Sequence, residues 1–303
     1  MAITDPIVSA VLGTYNRLPF LKLAIASVRV QMEGLHSEIV VVDGGSTDGT
    51  ISWLSSQPDI ITIVQHNRSR AGGSARPRES WGYFMNLGFK CARGEYILMI
   101  SDDCLVVPGS VHAAFDLFEA PKNQSKPVGG VAFYWRNWPE DLKYKVGLTL
   151  GRKMFVNHGM FLRRAIEHVG YIDEKTYRFY HADGDLSLKL WSSGYEIVDS
   201  PRSHVEHYSH ANRKVRRANE MSQARDWQAY VTKWTGVYYM PENPFEGGWI
   251  EQDYRDAFST CRRFLRRHYA NPATLARALK RSVKKLPLVR AVWSYVKGTK
   301  AKG

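Results

Sequence analysis

Three polar clusters in this chain follow apolar runs, and each carries residue types that act on a bound ligand. Ser101-Asp102-Asp103 comes directly after Tyr96-Ile97-Leu98-Met99-Ile100. Adjacent carboxylates in a partly desolvated place repel each other, and both stay ionised most readily beside a cation or hydrogen-bond donors. Hard oxygen ligands suit Mg²⁺ or Mn²⁺, which keep several waters and bridge substrate phosphates. The plainer alternative is a cap for the segment from Val106 onward. Thr14-Tyr15-Asn16 follows the run from Ile7 to Leu12, and Asp43-Gly44-Gly45-Ser46 follows Glu38 to Val42. A carboxylate such as Asp43 at a strand end accepts hydrogen bonds from a base or a ribose. The Gly44-Gly45 turn has neither GxGxxG spacing nor the Lys-Ser/Thr pair of a phosphate loop, and reads as a tight turn with Ser46 or Thr47 capping the next helix. Further on, Asp183 and Asp185 open an apolar-periodic segment, where a helix dipole keeps a carboxylate ionised. Each reads either as a helix cap or as an acid–base group. His204, His207 and His210 recur at spacing three and three, which fits a zinc site, a solvated turn or part of a core.

These groups need strands to carry them. Ile7 to Leu12 and Tyr96 to Ile100 read as buried strands, Glu38 to Asp43 as a second strand and Ile60 to Val64 as a short third. Between them Pro19 to Gln31, Thr50 to Ser56 and Ser80 to Ala92 read as helices, and His66 to Glu79 as an Arg- and Gly-rich loop. Repeated β-α units with almost wholly apolar strands indicate a parallel sheet covered on both faces. In such sheets ligands bind beyond the carboxyl ends of the strands, where the three clusters fall. The second half is less regular. Pro108 to Glu119 and Asp185 to Ser193 read as helices. Val128 to Trp135, Met154 to Leu162 and Tyr195 to Val198 read as strands. Ala211 to Trp234 reads as a polar helix, and Trp135 to Gly151 has no assignment.

The chain has 303 residues, enough for one large α/β domain with an appendage. Its 44% hydrophobic and 23% charged residues exclude global disorder and collagen-like repeats. Three cysteines, Cys91, Cys104 and Cys261, are far apart and form no CxxC, which excludes a disulfide framework and fits a reducing compartment. The first apolar run is too short for a signal-peptide core, and no run approaches the roughly 18 apolar residues of a membrane span. The net charge of +13 is local: residues 261–303 hold 13 Lys and Arg and no Asp or Glu, leaving 29 basic against 29 acidic residues elsewhere. That excludes a chain that binds nucleic acid throughout.

Five ordered blocks resemble the inverting family-2 glycosyltransferases with the GT-A fold. Val11 to Arg17 is similar to their first strand and its "TYNR" turn. "EIVVVDGGSTDGT" (residues 38–50) resembles their second strand. Gly94-Glu95-Tyr96-Ile97 with Ser101-Asp102-Asp103 resembles their "GEYI…DxD" block, and "MFLRRAIEHVGYID" (residues 160–173) the segment before their catalytic motif. Asp183-Gly184-Asp185-Leu186-Ser187-Leu188-Lys189-Leu190 with Gly194-Tyr195 resembles "EDxDLxLRLxxxGY". The resemblance implies a Rossmann-like, mostly parallel central sheet with helices on both faces, and transfer of a sugar from a nucleotide diphosphate sugar. It gives Thr14, Tyr15 and Asp43 to the base, Asp102 to the ribose, and Asp103 and His207 to Mn²⁺ or Mg²⁺. Asp183 becomes the general base, and Arg76 or Arg78 a contact to phosphate or base. Two positions depart from the family pattern: Ser101 replaces the first carboxylate of DxD, and Ala182 replaces the glutamate before the base.

The resemblance covers residues 1–210, leaving a helical or irregular extension at 211–260 and a basic tail at 261–303. In the tail Leu275, Leu279, Val283 and Leu286 recur at helical spacing among lysines and arginines, and a second apolar stripe follows Pro287. A basic amphipathic helix with aromatics suits an anionic membrane surface, reached here through residues 274–297, better than nucleic acid. The expectation is a metal-dependent inverting glycosyltransferase, peripheral at the cytoplasmic face of a membrane, using UDP-, dTDP- or GDP-sugars and a polysaccharide or lipid-linked acceptor. The alternative is a non-catalytic membrane- or nucleic-acid-binding protein with a degenerate site. A sugar-nucleotide nucleotidyltransferase would carry a Gly-rich, basic signature that Gly13 to Arg17 does not supply. Trp81, Trp135 and Trp138 are candidates for stacking on sugar rings or for burial.

Overall fold

The computed structural model describes residues 5–67, 78–119, 126–137, 141–208 and 220–253. β1 (Val8–Thr14) is buried along its length except for half-buried Gly13. α1 (Leu18–Met32) has Pro19 in its first turn, where a missing N–H leaves no broken bond. Its buried stripe of Leu21, Ala24, Ile25, Val28 and Met32 follows the helical period. β2 (Ser37–Asp43) pairs in parallel with β1 from Val8↔Ser37 to Thr14↔Asp43, so both strands deliver their last residues level with each other. α2 (Thr50–Ser55), β3 (Ile60–Val64), α3 (Trp81–Cys91) and β4 (Tyr96–Met99) continue the alternation. β3 lies parallel to β2, and β4 parallel to the other edge of β1. This is the β-α half the apolar runs predict, within a residue or two at most boundaries.

The second half is built differently. It comprises β5 (Cys104–Val106), α4 (Ser110–Glu119), β6 (Val128–Asn137), β7 (Tyr144–Thr149), β8 (Lys153–Met154), β9 (Gly159–Leu162), α5 (Arg163–His168), α6 (Ala182–Ser192), β10 (Glu196–His207), α7 (Gln223–Trp234) and β11 (Gly248–Gln252). β9 runs antiparallel to β4, β6 antiparallel to β9, and β11 antiparallel to β7. β10 lies parallel to β6 and antiparallel to β5. The result is one mixed sheet of 11 strands among the described residues; eight follow the order β11-β7-β6-β9-β4-β1-β2-β3, while β10 joins β6 to β5 and β8 pairs with β7. Parallel pairing is concentrated in the first half, and one hydrophobic core spans both halves.

The irregular stretches have physical reasons. The segment Met154 to Leu162, read as one strand, is two. Gly159 has φ +153°, and a Cβ there would strike the Val131 carbonyl, so the chain turns where no other residue fits. The strand begun at Glu196 continues to His207 by slipping register between Ser200 and His204, around Pro201. β7 lies in the stretch left unassigned. β11 is an exposed edge strand with little apolar alternation to betray it. α7 sends Tyr230 and Trp234 into the common core. The first residues of the helix read from Ala211, and the whole basic tail, lie outside the described residues, and no described helix is long and apolar enough to cross a membrane.

Candidate active site

The loops after β1 and β2 are knitted together. Asp43 is fully buried, and its carboxylate accepts the N–H groups of Gly45 (2.8 Å) and Ser46 (2.7 Å) and the Ser46 hydroxyl (2.6 Å). The Ser46 oxygen in turn accepts the Asn16 N–H at 2.8 Å, and the Asn16 side chain accepts the Thr47 N–H at 2.7 Å. Asp48 holds the Leu18 N–H that opens α1 (3.0 Å) and the Thr50 hydroxyl that opens α2 (2.5 Å). Gly44 bonds the Thr14 carbonyl at 2.9 Å, with the Tyr15 ring alongside. The "GGSTDGT" string is thus a rigid bracket that fixes Thr14 and Tyr15. The Asp43 carboxylate is turned into that bracket.

β4 delivers its carboxylates beside this bracket because β4 and β1 are neighbours. Thr14 donates to Asp102 Oδ2 at 2.8 Å. One Arg17 nitrogen reaches both Asp102 Oδ1 and Asp103 Oδ2 at 2.8 Å. Burial pushes Asp102 up to about 6; Arg17 opposes the shift and the Asp103 charge adds to it. Burial alone would lower Arg17, but the two carboxylates outweigh it and hold the guanidinium above its ordinary value. In the sequence Arg17 closes the "TYNR" turn, and its neighbours there do not announce this role. The available signal was that a cation one turn beyond Thr14 faces the end of the adjoining strand.

His207 closes the other side. Its Nε2 lies 3.6 Å from Asp103 Oδ1, and its Nδ1 lies 3.0 Å from Asn137 Oδ1. With Nδ1 donating to Asn137, Nε2 carries the lone pair on the side of Asp103, the tautomer a metal ligand needs. Cys104, His158 and His207 also gather, with possible ligand atoms all within 4.8 Å of one another. Two donor sets therefore compete for an ion. The Cys104 sulfur is 3.7 and 3.9 Å from the two nitrogens of the His158 ring, nearly equidistant, so it is not in line with either nitrogen. Burial pushes the Cys104 thiol up and His158 down, keeping both neutral. Asp103 with His207 is the set that brings a carboxylate oxygen and fits Mg²⁺ or Mn²⁺, whereas Cys104 and His158 offer only sulfur and nitrogen. His204 faces elsewhere. It is fully buried, 4.8 Å from the Tyr144 ring, and burial lowers it to about 4. His210 lies outside the described residues.

Asp183 sits in the first turn of α6, half-buried. Asn157 donates to its Oδ2 at 2.7 Å, and the Gly184 N–H to its Oδ1 at 2.9 Å. Asp185, its competitor in the sequence, is wholly buried and bound by Tyr177 (3.1 Å), Lys233 (2.9 Å) and Trp234 (2.9 Å). The turn before Asp183 is held from α7: buried Asp226 accepts the N–H groups of Arg178, Phe179 and Tyr180. His181, with φ +64°, stacks on Tyr230 at 5.1 Å. A Cβ on Gly184 would come 2.8 Å from the Tyr230 hydroxyl, which explains a small residue between the two aspartates. Neither Asn157 nor Asp226 has a sequence signal, because each acts across more than 25 positions.

Residues 9–167 match the profile of Glycosyl transferase family 2, more than half of the chain. The chain belongs to that family. A 116-residue stretch is 31% identical to succinoglycan biosynthesis protein ExoO of Rhizobium meliloti, covering 38% of this chain and 30% of that protein. A 239-residue stretch is 23% identical to the uncharacterized protein y4gI of Sinorhizobium fredii, covering 69% and 25%. The chain therefore spans less than a third of the length of these curated relatives. Among solved structures it resembles the mannosyltransferase PcManGT of Pyrobaculum calidifontis, determined with GDP-Man and Mn²⁺, at TM-score 0.53 and 18% identity over 99% of this chain and 81% of that one. It also resembles residues 1–349 of S. aureus TarS, at TM-score 0.50 and 15% identity over 78% and 76%. Both share the GT-A fold.

The family-2 match runs through the bracket, the acidic pair, Arg17 and Asn157, and stops before Asp183 and His207. The structure brings Thr14, Arg17, Asp102, Asp103 and His207 into one cluster. Arg78 is exposed on the approach to α3, and Arg76 lies outside the described residues. Trp81 packs edge-on to Phe179, Trp135 lies against His207, and Trp138 lies outside the described residues.

Proposed function

We propose that this chain transfers a sugar from a nucleotide diphosphate sugar to a hydroxyl of a growing glycan, with inversion, in polysaccharide assembly. The observation that carries the reading is the convergence of Thr14, Arg17, Asp102, Asp103 and His207 at the ends of β1 and β10 and just past β4. Thr14 and Asp102 suit a ribose, with Tyr15 over the neighbouring loop. Asp103 and His207 would hold Mn²⁺ or Mg²⁺, which supplies positive charge against a departing diphosphate. Asp183 accepts the proton of the acceptor hydroxyl as its oxygen bonds the anomeric carbon and the bond to the diphosphate breaks. Asn157 and the Gly184 N–H fix the carboxylate for that transfer. UDP-sugars are the first donor to test, with dTDP and GDP sugars beside them. The matched mannosyltransferase was solved with GDP-Man. We further propose that the chain works at the cytoplasmic membrane face, with its basic tail on anionic lipid.

The test is thermal stabilisation by a panel of nucleoside diphosphates with and without Mn²⁺, since a ligand bound only to the folded state raises the midpoint. One diphosphate should give a Mn²⁺-dependent shift that Asp103→Ala abolishes. Asp183→Asn should keep that shift while transfer falls about 10²–10⁴-fold. No shift with any nucleotide overturns the reading in favour of a degenerate site.

A further inference from the structure

Asp183 has Asn157 on one side, inside the stretch that matches the family profile, and on the other a helix well beyond it. That helix, α7, reaches the chain before and after the base. Asp226 is fully buried. Its Oδ1 accepts the Arg178 N–H at 3.0 Å, and its Oδ2 those of Phe179 (2.9 Å) and Tyr180 (3.0 Å). The Ser222 hydroxyl donates to the same Oδ2 at 3.2 Å. One turn on, Tyr230 stacks on His181 with the ring planes 14° apart and shares a hydrogen bond with Thr149 at 2.7 Å. At the helix end Lys233 and Trp234 each bond Asp185 at 2.9 Å. A single helix thus fixes residues 178–181 and 185, and Asp183 lies between them.

We infer that Asp226 is a positioning residue for the proton transfer to Asp183, acting through the turn 178–181. Successive backbone N–H groups form a concave cradle for an anion, and Asp226 supplies that anion from α7. Its two oxygens offer about four lone-pair sites, enough for the three N–H groups and the Ser222 hydroxyl. An amide of the same shape brings one oxygen and turns its NH2 against a backbone N–H. The shape of the turn therefore depends on one charge at position 226. The donor side is carried elsewhere, by Thr14 at the end of β1, Asp102 and Asp103 past β4, and His207 on β10. A reacting group misplaced by about 1 Å costs about 10²-fold in rate. Loss of Asp226 should therefore fall on the transfer step and spare donor binding. The extension read at 211–260 becomes part of the catalytic unit, although the family match ends at residue 167.

The inference rests on the transferase reading for its reaction, and its test separates the two. Asp226→Asn, which keeps the side-chain shape, should lower kcat about 10²-fold and leave the donor KM and the Mn²⁺-dependent nucleotide shift unchanged. Asp226→Ala should be at least as slow. Gln228→Ala, on the exposed side of α7, should match the wild type. An unchanged kcat in Asp226→Asn overturns the inference. So does an Asp226→Asn chain that cannot fold, or one that loses nucleotide binding in equal measure, since either makes Asp226 a support of the whole fold. Hydrogen exchange of the same samples reports without any reaction. Faster exchange in Asp226→Asn confined to the amides of 178–184 supports the inference. Unchanged exchange there, or exchange raised across α6 and the sheet, overturns it. A wild type that neither binds a nucleotide nor transfers a sugar removes the transferase reading, and the exchange result alone then decides whether Asp226 orders the turn that carries Asp183.

Discussion

Among the described residues, two half-buried arginines hold buried carboxylates at strand ends, and the two clusters are built to opposite ends. In the second half Arg136 holds one carboxylate, Glu206, through two bonds of 2.8 and 2.7 Å, and the Tyr144 hydroxyl adds a third at 2.5 Å. The guanidinium also lies over the Tyr144 ring at 4.6 Å. Burial pulls Arg136 down, yet Glu206 outweighs it and holds the guanidinium above its ordinary value. Charge and hydrogen bonds balance within the cluster. In the first half Arg17 is divided between two carboxylates, and Asp102 is left pushed up toward neutrality. One cluster is complete as it stands. The other has a carboxylate in excess, which is what a site for a further cation requires.

The largest effect separating the two is expected at Glu206. Glu206→Ala leaves the half-buried Arg136 without this anion and removes the carboxylate that accepts from the Tyr144 hydroxyl. Removing one partner of such a pair costs about 3–5 kcal/mol. Urea unfolding should show that loss, with Mn²⁺ giving no recovery. A loss below about 1 kcal/mol would mean that the two clusters do not differ in kind.

A smaller effect sharpens the contrast by pH. His204 sits beside the balanced cluster, and burial lowers it from 6.5 to about 4. Its folded value lies below its unfolded one, so the unfolded chain takes up the proton first. Stability is therefore complete above about pH 6.5 and is lost as pH falls toward 4. At about 1.4 kcal/mol per pH unit the loss reaches at most about 3 kcal/mol. Unfolding measured across that range should slope down on acidification, and His204→Gln should flatten the slope. An unchanged slope would assign it to another group.

The same contrast explains what the sequence makes legible. The parallel half could be read almost residue by residue, because its strands are continuous apolar runs and their ends carry Thr14, Asp43 and Asp102. The balanced cluster could not. Arg136, Tyr144 and Glu206 stand on three different strands, and nothing local in any of them announces the others. β11 carries Trp249 on an edge strand without alternation, and β5 has three residues, too few for a period. Within the site itself, Asp103 and His207 lie in or beside recognisable strings. Arg17 and Asn157 matter only because pairing brings distant strand ends and loops together. Two aspartates in one motif, Asp183 and Asp185, could be told apart only by burial.

The smallest expected effect is the most discriminating, because it asks whether Arg17 is structural at all. If Arg17 were a second Arg136, Arg17→Met would cost as much as Glu206→Ala. The excess of carboxylate predicts otherwise. Asp102 already stands near 6, so without Arg17 it relieves the repulsion by taking a proton, and the loss is limited to about 1–2 kcal/mol. A raised folded-state value also fixes the sign with pH. Stability falls as pH rises, so the variant should lose less at about pH 5 than at about pH 8. Mn²⁺ should then raise the midpoint of Arg17→Met more than that of the wild type, since the ion replaces the missing positive charge. A loss as large as that of Glu206→Ala, indifferent to pH and to Mn²⁺, would make the two clusters alike and remove the acidic pair's claim to a cation.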